Sequence, residues 1–191
     1  VKAVIRIFTK KVAGEGFGFD NRALVRHINE YGWAAYDQLN FNYRKNGFDL
    51  SGMLSAGSYH SGNDQTFLVD VYLDKHWQQN MDLTDQRAKS KNIETTFSLN
   101  YQFNENHTIG VRYNFQRVPE YLWFANQFAQ TYCNDQLYED VHSFNTMNEP
   151  ETYHRSNVYY SGEVKNWSID FNADGLWSDV KNTQTTKESI R

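Results

Sequence analysis

From residue 93 to residue 103 every odd position but one is apolar or aromatic: Ile93, Phe97, Leu99, Tyr101 and Phe103, with Thr95 among them. The even positions, Glu94, Thr96, Ser98, Asn100 and Gln102, are all polar. A period of two puts these sets on opposite faces of a β-strand, because successive side chains point to opposite sides. Asn104-Glu105-Asn106-His107 then reads as a tight polar turn. Beyond it Ile109, Val111, Tyr113 and Phe115 alternate with Thr108, Gly110, Arg112, Asn114 and Gln116. The pair predicts a hairpin with one apolar and one polar face.

The pattern recurs along the chain. Leu39, Phe41 and Tyr43 alternate with Gln38, Asn40, Asn42 and Arg44 before Lys45-Asn46-Gly47, and Asn-Gly is a strong hairpin signal. Phe48, Leu50, Leu54 and Ala56 follow, then Phe67, Val69, Val71 and Leu73. Val158, Tyr160 and Val164 turn at Lys165-Asn166 into Trp167, Ile169, Phe171, Ala173 and Trp177. Helical periodicity competes only weakly, within residues 121–137. If residues 79–88 form a further strand, the connections near Lys45, His76, Asn106 and Lys165 are short. Those near Asn29, Ser61 and Lys89 and across residues 118–151 are longer or more polar. The fold class expected is all-β, an antiparallel up-and-down meander.

Such a meander suits two environments, and composition bears on the choice. Aromatics make up 16 % of the 191 residues, which argues against disorder. There are 20 Asn and only 2 Pro, as expected for strands joined by polar turns. No apolar run approaches the roughly 20 residues of a transmembrane helix, but strands of a membrane barrel alternate and leave no such run. A soluble sandwich or lipocalin-like barrel shares the alternation. Lumen walls favour Asn, Gln, Asp, Arg and Ser, and the aromatics at strand ends (Trp33, Tyr43, Phe48, Trp77, Phe103, Trp167, Trp177) suit interfacial girdles. These features favour a partial transmembrane β-barrel. A net charge of −4 without basic blocks gives no nucleic-acid signature, and the single Cys133 supports no disulfide framework.

The opening segment carries a resemblance. Ala3-Val4-Ile5-Arg6-Ile7-Phe8-Thr9-Lys10-Lys11, followed by Gly14 and Gly16, resembles the plug-to-barrel junction of TonB-dependent outer-membrane receptors. Arg6 stands where that junction usually has Asn or Asp. The run from Leu39 through Asn46-Gly47 to Leu50 looks like early strands of the Bacteroidetes outer-membrane β-barrel family. The hairpin containing Leu99-Asn100-Tyr101-Gln102-Phe103 and Thr108-Ile109-Gly110-Val111 resembles a later one. The resemblance implies residues 1–11 as the last plug strand, 12–18 as a Gly-rich hinge, and 19–191 as the N-terminal part of an incomplete barrel of about 22 strands. It implies active uptake of a specific substrate into the periplasm, location in the bacterial outer membrane, and as partners the TonB complex through the missing plug, membrane lipid and a surface lipoprotein. Read as an excised piece, the chain is expected to self-associate through its open sheet edges.

Within this frame Arg112, Asn114 and Gln116 are candidate lumen residues facing the plug. Tyr121, Trp123, Tyr132, Tyr138 and His142 are candidates for an external ligand loop, pairing ring faces with amides as sugar or peptide binding requires. No nucleophile motif, phosphate loop or metal-ligand spacing occurs, so neither an enzyme nor a cofactor is expected. The competing reading is a secreted carbohydrate-binding β-sandwich or a lipocalin-like carrier, whose apolar faces would pack into a dry core.

Overall fold

The computed structural model describes residues 14–190; the expected plug strand, residues 1–11, and hinge residues 12–13 lie outside the described residues. The described chain is nine β-strands without a helix: β1 (Gly16–Ile28), β2 (Gly32–Lys45), β3 (Phe48–Tyr72), β4 (His76–Asn104), β5 (His107–Cys133), β6 (Gln136–Asn148), β7 (Glu151–Val164), β8 (Trp167–Val180) and β9 (Thr183–Ile190). They form one antiparallel up-and-down sheet, not closed into a barrel. β5 pairs with β7 along its first half and with β6 along its second. β8 and β9 in turn pair with β7 and β6. Segments β6–β7 and β8–β9 therefore run end to end, and the sheet is a meander of long strands.

Local chemistry sets the turns. Asn46 and Gly47 have φ of 50° and 78°, and Asn134 and Asp135 have 48° and 64°. Two successive positive φ values make the tight turn whose twist matches paired strands, and Asn, Asp and Gly bear that conformation most cheaply. Turns at Asn46-Gly47, Glu105-Asn106 and Lys165-Asn166 share one end of the sheet; those at residues 29–31, 73–75 and 134–135 share the other. The expectation for the connections is corrected here. Ser61 lies inside β3, and residues 79–88 and Lys89 inside β4. Residues 118–151 are no loop but chiefly a hairpin of β5 and β6. The connection at His76 thus sits at the opposite end from those at Lys45, Asn106 and Lys165.

Irregular register explains why these strands read as broken. Pairing slips between β4 residues Thr84 and Arg87, where β4 carries an extra residue against both β3 and β5. Asp85 sits there at φ 53°, its N–H donating to Asp64 Oδ1 at 2.9 Å. A second slip places Val118 and Pro119 of β5 opposite the single residue Asn92. On the other side of β5, Val118 pairs with Glu151 and Leu122 with Asn148, leaving residues 119–121 against Glu149 and Pro150. The chain's two prolines thus meet at one level, where the ladder is already interrupted and their missing N–H groups cost nothing. Each bulge shifts the phase of alternation by one residue.

The turns at one end also step steadily along the sheet. One transverse row runs Phe48, Tyr101, Ile109, Tyr160, Phe171. Phe48 is the residue next to its turn, whereas Phe171 lies about five residues from its own, a drift of about one residue per strand. At ~3.3 Å per residue and ~4.8 Å between strands, turns lying level require a strand tilt of roughly 35°.

The sheet is a single layer. Among the described residues the only buried hydrophobic side chains are Ala34, Val118, Ala125 and Ala129. Cohesion is lateral, and aromatic rings spanning glycines supply part of it. The Phe41 ring lies over Gly52 and reaches Phe97, at 5.9 Å between centroids. On the opposite face the Tyr159 ring crosses Gly110 and its hydroxyl donates to Asn100 Oδ1 at 2.7 Å. A Cβ at Gly110 would overlap the Tyr159 ring. Gly110→Val is expected to expel that ring and cost about 1–3 kcal/mol, read as a lower denaturant midpoint, while Thr108→Val nearby changes little.

Candidate functional site

Because the side-chain period is two, the register assigns every strand residue to one of two faces. The outer face carries Ile93, Phe97, Leu99, Tyr101 and Phe103 of β4. Across it lie Phe17, Phe19, Leu39, Phe41, Tyr43, Leu50, Leu54, Ile109, Val111, Val158 and Phe171. These side chains are uncovered: Phe19 is 70 % and Phe171 55 % exposed. On β8 the band opens at Trp167 and ends at Trp177, about ten residues on, or ~33 Å of strand and ~27 Å of height at a 35° tilt. Tryptophans mark both limits. At the upper one, His154 lies 4.8 Å from Trp177 and 5.1 Å from Phe115 between ring centroids, and its Nδ1 is 2.6 Å from the Tyr113 hydroxyl. One row above, charge enters the outer face on β4: Lys91 Nζ donates to Glu120 Oε2 at 3.0 Å, and Lys89 and Arg87 follow, paired on β5 with Leu122 and Phe124.

The inner face at the level of the band is polar and hydrogen-bonded. Gln38 donates to Asn40 at 2.9 Å and Asn40 to Asp20 at 2.8 Å. Asn114 donates to Thr96 Oγ1 at 3.0 Å and to Glu94 Oε1 at 3.3 Å, and Asn157 donates to Asp174 Oδ1 at 2.8 Å. Here Arg112, Asn114 and Gln116 share the inner face and line one groove of about 650 Å³ with Glu94, Arg155, Asn157 and Asp174. Their shared face follows from the alternation in β5, whereas their neighbours in the groove do not. Arg155, Asn157 and Asp174 belong to strands whose register to β5 no local pattern reveals.

Above the bulges the contrast between the two faces weakens, and apolar residues appear on the inner one. Strand β3 is regular, yet its apolar residues pass from even numbers (Leu50, Leu54) to odd ones (Phe67, Val69, Val71), and so from outer to inner face. In β4 Met81 and Leu83 stay odd-numbered and the bulge at Asp85 turns them inward; in β5 the bulge at Pro119 turns Tyr121, Trp123, Ala125 and Ala129 inward and leaves Leu122, Phe124 and Phe128 outward. One row of the resulting inner wall reads Phe67, Met81, Ala129, Val141, Ile190 across five strands. The outer face opposite is mixed: Thr66 donates to Asp82 at 2.7 Å and His76 Nε2 lies 2.9 Å from Asp70 Oδ1, beside exposed Leu68, Phe128 and Phe144.

The shifted register divides the candidates for an external loop. Tyr121 and Trp123 join the inner wall, paired with Ser90 and Ala88. Tyr132 and His142 lie on the outer face, where His142 stacks on Phe128 at 4.4 Å between centroids. Tyr138, near the β5–β6 tip, meets Trp77 edge-on at 5.2 Å. The five therefore form no single platform. Trp77 is also corrected: it lies on the inner wall far above the band, outside any girdle. No cluster of His, Cys, Asp and Glu suited to a metal ion occurs among the described residues.

No family model matches the chain, and no curated protein matches it.

Proposed function

We propose that this chain is part of the wall of an outer-membrane β-barrel, and specifically an early portion of a TonB-dependent receptor that carries one class of solute into the periplasm. The observation that carries the membrane reading is the outer apolar band: it crosses the strands, is bounded on β8 by Trp167 and Trp177, gives way on β4 to Lys91, Lys89 and Arg87, and is about as tall as the ~25 Å lipid-facing belt of such barrels. The ~35° tilt lies at the lower end of the barrel range. A hydrogen-bonded lumen face backs the band, and tight turns close its lower end. The receptor assignment rests on the resemblance of residues 3–16 and of the β2–β3 and β4–β5 hairpins. In this reading TonB, acting on the plug, supplies the energy and β3–β6 rise above the membrane to meet the solute.

Chromatography with light scattering, with and without mild detergent, tests the membrane reading. The expected result is association in plain buffer and a detergent-bound species once micelles are present. A compact monomer in plain buffer that binds no detergent would overturn it and favour the secreted binding module.

A further inference from the structure

The groove on the inner face holds two cations, Arg112 and Arg155, that form no ion pair with its acids among the described residues. Arg112 on β5 and Arg155 on β7 are diagonal neighbours, since Arg112 pairs with Asn157 and Asn114 with Arg155. Diagonal positions stand roughly 7–8 Å apart, within mutual reach of two guanidinium groups. The groove's acids lie on the flanking strands. Glu94 accepts from Asn114 and Asp174 from Asn157, and neither forms an ion pair with Arg112 or Arg155 among the described residues. Arg155 only lies over the Tyr153 ring, at 6.0 Å. Positive charge therefore sits at the centre of the groove, with amide-tethered negative charge at its rim.

We propose that this groove binds a carboxylate presented by a peptide-like segment, held between the Arg112 and Arg155 guanidinium groups. Two planar forks on adjacent strands offer a carboxylate more donors than it has lone pairs, and a charge-assisted pair is about twice as strong as a neutral hydrogen bond. With two arginines against Glu94 and Asp174, the lining is formally neutral. A doubly charged phosphate brings its second charge against the rim carboxylates, whereas a single carboxylate takes the centre without crowding them. Asn157 and Gln116, beside the arginines, suit the backbone amides next to such a carboxylate. This deepens the lumen reading, and the segment is either the receptor's own plug or a carried peptide.

The test is ¹⁵N NMR of the arginine Nε–H groups of the whole chain in micelles, titrated with acetyl-Gly-Glu-Gly-amide. Saturable shifts at Arg112 and Arg155 are expected. Binding should weaken at least about tenfold for the Gln counterpart, and equally for the Arg112→Gln/Arg155→Gln variant. Inorganic phosphate should not compete. Equal binding of the Glu and Gln peptides, unchanged binding by the double variant, or tighter binding of phosphate would each overturn the proposal. In the plug-containing receptor, exclusion of the peptide assigns the carboxylate to the plug, and retained binding assigns it to a carried solute. If the chain proves a detergent-free monomer yet still binds the peptide, the groove stands and the membrane reading falls.

Discussion

Arginine in place of Leu99, at the middle of the outer band, is expected to cost about 2–4 kcal/mol of folding stability in lipid vesicles beyond Leu99→Ala. The same charge at Phe103, near the lower rim, should cost only about 0–1 kcal/mol beyond Phe103→Ala, because there the side chain reaches headgroups and water. Ser98→Arg, one residue along but facing inward, should change stability by less than about 1 kcal/mol. The depth dependence is what matters. Arg buried in a soluble core is penalised wherever it is placed, whereas a bilayer penalises by distance from its midplane. Urea midpoints of the reconstituted variants measure it, and equal penalties at Leu99 and Phe103 would rule out lipid as the medium around this face.

A second large effect should follow from deleting Pro119. Val118 and Pro119 together oppose Asn92, so removing one residue restores regular pairing and rotates everything beyond by one position. Tyr121, Trp123, Ala125 and Ala129 would then face outward, and Leu122, Phe124 and Phe128 inward. The inner row from Phe67 to Ile190 would lose its central member, Ala129. The upper β5–β6 hairpin should lose hydrogen-exchange protection by more than about tenfold, while the lower half of β5 keeps its own. Pro119→Ala, which preserves the count, should keep the faces and most of the protection. If deletion and substitution behave alike, the bulge does not set the faces.

The lower half of this sheet was legible in the sequence and the upper half only in pieces. In residues 93–103 and 108–116 polar and apolar positions alternate with Thr95 the one departure, and Asn46-Gly47 fixes its turn by backbone chemistry. The shared face of Arg112, Asn114 and Gln116 follows from that alternation. Beyond Ile93 the register slips at Asp85 and Pro119, and in β5 both parities become apolar, Tyr121, Trp123 and Ala125 against Leu122, Phe124 and Phe128, so that alternation no longer marks a strand. That is why residues 118–151 read as a connection, and why Tyr121 and Tyr132 were grouped although they point to opposite sides. In β3 the change comes without a bulge, through a switch of apolar residues from even to odd positions around Tyr59 to Gln65. Arg155 and Asp174 were missed for another reason. Their proximity to Arg112 is a matter of long-range register, which no single strand encodes.

The bulges also set two kinds of surface in series along one wall. Down the inner face, the rings and methyl groups of Trp77, Phe67, Met81 and Trp123 come first, interleaved with amides such as Gln79 and Gln127. Past the level of the two prolines lies a field of amides, carboxylates and guanidinium groups able to replace lost hydration. In the proposed receptor, a solute would meet the more apolar stretch and the polar field within the length of a few residues, and one suited to only one of them would stall at the boundary.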